Sequence, residues 1–163
     1  MKVICFFYFL TLCFCLGCNS HSKSESLIGR WKFISISEVI STSRDSLYYD
    51  LEKDSIYIPT EDLKEAYKDG HDSISTVNIF KSMYGSFKGA SFIFEKDSVV
   101  FEFRSTKAKG TYQIKNNDTL EILLIYQDKE QAHLIYTYSF KRDLLNILLK
   151  TDMGYSKFIL KKV

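Results

Sequence analysis

Proline is nearly absent from this chain and glycine is sparse, with one and seven among 163 residues. That scarcity excludes collagen-like and low-complexity architectures, which need such residues in repeating supply. Cysteine is missing from everything after residue 18; the four present are Cys5, Cys13, Cys15 and Cys18. A domain formed beyond that point has no internal disulfide and must be held by packing alone. Charge of one sign is lacking too. The 22 Lys+Arg against 20 Asp+Glu leave a formal +2, so the basic footprint of a nucleic-acid binder is not there. Three histidines, His21, His71 and His133, show no H-x-H or H-x-x-x-H spacing, and no metal site is expected. Neither the phosphate-cradling G-x-x-x-x-G-K-S/T nor the nucleophile turn G-x-S-x-G occurs. The expectation is therefore a protein that is not an enzyme, with no catalytic residue and no cofactor.

What is present begins with a hydrophobic run. After Met1-Lys2, Val3–Leu16 is apolar except for Thr11. Its length suits a signal-peptide core and falls short of the ~20 residues of a membrane-spanning helix. The run ends in Leu16-Gly17-Cys18, and the polar stretch Asn19–Ser26 follows at once. This resembles the lipobox of bacterial lipoproteins. The resemblance implies removal of residues 1–17 and attachment of acyl chains such as palmitate to Cys18. Several such chains, at ~0.8 kcal/mol per buried CH2, make the membrane attachment effectively permanent. Residues 18–26 then read as a flexible tether. Asn19, in place of the Asp that commonly retains lipoproteins at the inner membrane of enteric bacteria, points to the outer membrane of the envelope.

Residues 27–163 read as one mainly β domain. Ser91–Glu95 and Val99–Arg104 flank the turn Lys96-Asp97-Ser98, and Gly110–Lys115 precedes the turn cluster Asn116-Asn117-Asp118. Thr119–Tyr126, the alternating run from Leu134 to Phe140, Leu144–Lys150 and Tyr155–Val163 complete seven short strands. Leu27–Ile40 supplies an eighth, with Trp31, Phe33 and Ser35 on one face and Lys32, Ile34 and Ile36 on the other. Such spacing predicts an antiparallel up-and-down barrel of about eight strands, closed to avoid exposed edges. A helical insertion, roughly 60–87, follows the first strand. One helix begins at Pro59 and ends at Gly70; a second begins at Ser73, with Ile74, Val77, Phe80, Met83 or Tyr84, and Phe87 on one stripe. Ser41–Ile58 has room for a short strand. Arg104–Lys109 is a basic loop, either solvated or facing an anionic lipid or glycan.

Gly29-Arg30-Trp31 resembles the G-x-W signature that opens the first strand of lipocalins and related calycin barrels. Leu27–Lys32, then Gly89–Phe94, then Gly110–Ile114 resemble in order the lipocalin-like domains of Bacteroides-type lipoproteins. The resemblance implies a barrel with the Trp closing one end. Lipocalins pack a last-strand Arg over that Trp; here the last strand has Lys157, Lys161 and Lys162 instead, so that closure is not implied.

Aromatic residues abound, with 13 Phe, 11 Tyr and 1 Trp. Trp31, Phe33, Phe101, Phe103, Tyr112, Tyr136 and Tyr138 are the candidate ligand-binding residues, with tyrosine hydroxyls as polar anchors. Two functions stay open. The barrel holds a small apolar or amphipathic ligand, or it is packed solid and docks onto an envelope protein partner. Large residues at successive inward positions, Phe101 with Phe103 and Tyr136 with Tyr138, favour a lined cavity over an overfilled core.

Overall fold

The computed structural model describes residues 26–40, 46–60, 64, 68, 73–151 and 154–163. The expected signal segment, Cys18, nearly all of the tether, His21, His71 and most of the helix expected from Pro59 lie outside the described residues. Among the described residues there are ten strands: β1 (Gly29–Ile40), β2 (Leu47–Asp50), β3 (Ser55–Tyr57), β4 (Ser91–Phe94), β5 (Val99–Phe103), β6 (Thr106–Lys115), β7 (Thr119–Ile125), β8 (Gln131–Lys141), β9 (Leu144–Thr151) and β10 (Gly154–Lys162). The helix α1 (Ser73–Gly85) stands between β3 and β4. Among the described residues no helix is long and apolar enough to cross a membrane.

Eight of the strands form a closed antiparallel barrel. From β4 to β10 each strand pairs with the next, β4 pairs with the start of β1, and β10 pairs with β1 from Trp31 to Ile40. The two-residue alternation of the chain drives this. In β7, Leu120, Ile122 and Leu124 are fully buried while Leu123 and Ile125 face out. In β8, Tyr136 and Tyr138 are buried between exposed Ile135, Thr137 and Ser139. Turn chemistry sets the register: Asn116 and Asn117 take the left-handed conformation (φ 51° and 62°), which Asn tolerates better than most residues.

Several expectations need correction. The basic loop is shorter than Arg104–Lys109, because Thr106–Lys109 already pair with β5; only Arg104 and Ser105 turn. Ile36 does not face outward. A β-bulge between Phe33 and Ser35 inserts one residue, and beyond it Ile36 lies opposite Phe158 on the interior face. Ser41–Ile58 contributes two strands rather than one. The hairpin β2–β3 takes the edge of β1 that β4 leaves free, pairing from Ser35 to Glu38. On α1, Ile74 and Met83 are exposed, whereas Val77, Phe80 and Tyr84 are half-buried and Thr76 is buried.

Candidate functional site

The two ends of the barrel differ. At one end the chain enters β1, and the interior is filled by Leu27, Trp31, Phe94, Tyr112, Leu120, Tyr138 and Leu160. Trp31 is 2% exposed. Its Nε1–H donates to the Leu27 carbonyl at 2.6 Å, and its ring lies 5.8 Å from that of Phe140. Lys162 Nζ stands 5.4 Å from the Trp31 ring centre. The last strand thus does place a cation over this Trp, a Lys rather than an Arg. Gly29 makes room for it. A Cβ at Gly29 would lie 2.8 Å from Lys162 Cε, which would have to shift, and the φ of 129° is one that residues with a side chain rarely adopt.

The opposite end is hollow. A cavity of about 200 Å³ lies among Phe33, Phe92 and Phe101 of β1, β4 and β5 and Leu124, Leu134 and Tyr136 of β7 and β8. Ile147, Leu149 and Phe158 from β9 and β10 close its far wall, and Tyr126 sits where β7 ends. Phe87, in the turn after α1, stands at the mouth with its ring 5.6 Å from Phe33, 5.2 Å from Phe103 and 6.0 Å from Phe158. Three backbone hydrogen bonds hold that turn: Phe87 N–H to Tyr84 O, Lys88 N–H to Gly85 O and Ala90 N–H to Phe87 O.

Of the expected ligand-binding residues, Phe33, Phe101 and Tyr136 line this cavity. Phe103 is not among its lining residues and buttresses Phe87 instead. Trp31, Tyr112 and Tyr138 belong to the filled end. The Tyr112 hydroxyl donates to the Glu95 carbonyl at 2.8 Å, and the Tyr138 hydroxyl is buried without a partner. Sequence reasoning missed Phe87, Tyr126 and Phe158, and the aliphatic Leu124, Leu134, Ile147 and Leu149, as lining residues. Phe87 did carry a signal, since it ends the apolar stripe expected of the second helix, although the helix itself stops at Gly85.

The cavity wall is apolar except for two phenols. Neither the Tyr126 nor the Tyr136 hydroxyl forms a hydrogen bond among the described residues. Burial, and then the neighbouring Tyr126, push the Tyr136 hydroxyl well above the usual tyrosine range. It therefore stays protonated and can donate a hydrogen bond into the hollow. Among the described residues no group of three or more His, Cys, Asp or Glu side chains is placed to hold a metal ion. His133 lies on the exposed outer face of β8.

Buried phenols also make stability sensitive to alkali. Burial raises Tyr49 and Tyr84 to about 12, with Asp54 and Glu38 respectively adding to the shift. Tyr112 and Tyr138 are raised by the same dominant cause. The folded protein thus binds these protons more tightly than the unfolded chain. The resulting stability is complete below the free-tyrosine value of about 10 and is lost as pH rises through about 12. The urea midpoint is expected to fall steeply across that window, and less steeply in Tyr136→Phe. An ultraviolet titration of the folded protein in which every tyrosine ionises near its free value would contradict this.

Comparison with protein families, with curated proteins and with solved structures found no match in any of the three.

Proposed function

We propose that this protein is a lipid-anchored, non-enzymatic lipoprotein of the bacterial envelope, held in the outer membrane through Cys18. Its lipocalin-like barrel holds one small apolar or amphipathic molecule at the hollow end. The observation that carries this reading is the cavity itself. It is walled by aromatic and aliphatic side chains, and the Tyr136 hydroxyl on its wall has no hydrogen-bond partner among the described residues although the residue is only 7% exposed. Concave, mostly apolar sites with a few convergent polar groups are the usual form of a small-molecule site. Its size sets the class of occupant. A dry cavity of ~150 Å³ accommodates benzene, so about 200 Å³ suits a single substituted ring or a short alkyl chain. Long-chain lipids are too large.

The test uses n-octanol, an uncharged probe of suitable size. Calorimetry with purified protein is expected to show saturable binding at one site per chain. Leu149→Trp and Leu134→Trp, which fill the hollow from adjacent strands, should each abolish binding while the melting transition persists. A folded wild-type protein that shows no saturable binding sinks the reading.

One observation favours the second reading, docking onto an envelope partner. Leu123, Ile125 and Ile135 form an exposed apolar group on the outer faces of β7 and β8, and such groups recur at protein contacts.

A further inference from the structure

Beside the hollow lies an open cleft of a different character. Lys81, Ser82 and Gly85 of α1, Ser86 and Lys88 of the turn after it, Arg104 after β5, and Tyr49 and Asp54 from the β2–β3 hairpin line it. Three cations face one carboxylate. None of the three forms an ion pair among the described residues, and Asp54 is occupied in accepting the Tyr49 hydroxyl. That bond, with the nearby Lys88 and Lys81 charges behind it, holds the Asp54 carboxyl below the usual range.

The cleft and the hollow share a wall. Phe87 lines the hollow while its chain neighbours Ser86 and Lys88 line the cleft. Across from it, Phe103 packs on Phe87, and the Arg104 guanidinium lies 5.5 Å from the Phe103 ring centre. Arg104 reaches that position from a left-handed backbone (φ 53°), in the tight β5–β6 turn. Three cations against the single Asp54 carboxylate therefore leave net positive charge beside the mouth of an uncharged cavity, one aromatic ring away from it.

We infer that the occupant of the hollow is an anionic amphiphile, its apolar body against Phe33 and Leu149 and its charged head against Lys88 and Arg104, with Lys81 adding to the field. This rests on the binding role proposed above and narrows its ligand class. The uncharged wall is suited to the body alone, because an anion buried there without a cation would be heavily penalised. Placed in the cleft, the head keeps its hydration on one side and meets two donors on the other.

The experiment compares octanoate with n-octanol, and 3-phenylpropanoate with 3-phenylpropanol, on wild type and on the double variant Lys88→Gln/Arg104→Gln. Both positions are solvent-exposed, so the variant is expected to fold; its melting curve checks this. Exposed charge pairs contribute modestly each, so losing two should weaken both acids by about tenfold and leave both alcohols unchanged. Wild-type affinity for the acids should also fall as salt is raised. Whichever acid binds more tightly identifies an alkyl or an aromatic source. If acid and alcohol bind alike and the double variant changes neither, the inference is overturned while the cavity reading stands. If neither acid nor alcohol binds, both fall. Should the variant spare octanoate yet lose sedimentation with phosphatidylglycerol vesicles, the cations serve a membrane surface and the inference is again overturned.

Discussion

Gly110→Ala is expected to leave the protein unfolded or nearly so. Gly110 lies in β6 between Val99 of β5 and Leu124 of β7. A Cβ built on it would stand 1.7 Å from the Leu123 carbonyl oxygen, 2.7 Å from the carbonyl carbon and 3.0 Å from Leu124 Cα. All three atoms are backbone, so no rotamer change relieves the clash. β6 and β7 would have to part by more than an ångström, and with them the Lys109–Ile125 to Lys115–Thr119 ladder. Glycines of this kind let a strand approach its neighbour where a barrel curves sharply. The loss should reach at least ~3 kcal/mol, out of the 5–15 kcal/mol typical of a whole domain. Thr111→Ala, one residue on and exposed, serves as the control and should change the denaturation midpoint little. A Gly110→Ala protein that melts with wild type would show that the strands are farther apart than described.

Trp31→Ala should be the next most damaging change. It removes the largest side chain of the filled end, leaves the Leu27 carbonyl without its donor and takes away the ring under Lys162. Aromatic truncations in tightly packed cores cost about 3–5 kcal/mol, and here nothing nearby is free to collapse inward. Trp31→Phe keeps much of the packing but loses the hydrogen bond, so its cost should be clearly smaller. Chemical denaturation of the two variants beside wild type measures both. Equal midpoints for wild type and Trp31→Ala would mean that this end does not depend on its plug.

Much of the barrel was legible because alternation and turn residues point to the same elements. Asn116-Asn117-Asp118 and Lys96-Asp97-Ser98 fall between the strands they were expected to join. The bulge in β1 was not legible, since Ile34 looks like any other residue of an alternating run. Its insertion shows only in the pairing with β10. The hairpin β2–β3 was obscured because its strands are only four and three residues long, too short for an alternation to be read. The cavity was half legible for a deeper reason. A period of two tells which face a residue lies on, but not how far along the barrel axis it sits. Phe33 and Trp31 share a face and a strand, yet one walls the hollow and the other plugs the opposite end. Tyr136 and Tyr138 divide in the same way. Depth depends on strand stagger around the closed sheet, and no single strand carries that information.

The seam between β1 and β10 has a kinetic consequence. Trp31 pairs with Lys162, 131 positions later (162 less 31). The hairpins from β4 to β10 need only short loops and can form within microseconds each, whereas the seam waits until all of them are in place. Closing a loop of that length costs roughly 4 kcal/mol of chain entropy, recovered only once the ladder zips along Ile40 to Trp31. Folding should therefore lie in the millisecond-to-second range of proteins dominated by distant contacts. Until the seam closes, the chain carries two long unpaired edges at once, β1 on one side and β10 on the other, both able to recruit another chain. The duration of that hazard is set by the order of strands around the barrel and not by how stable the finished barrel is.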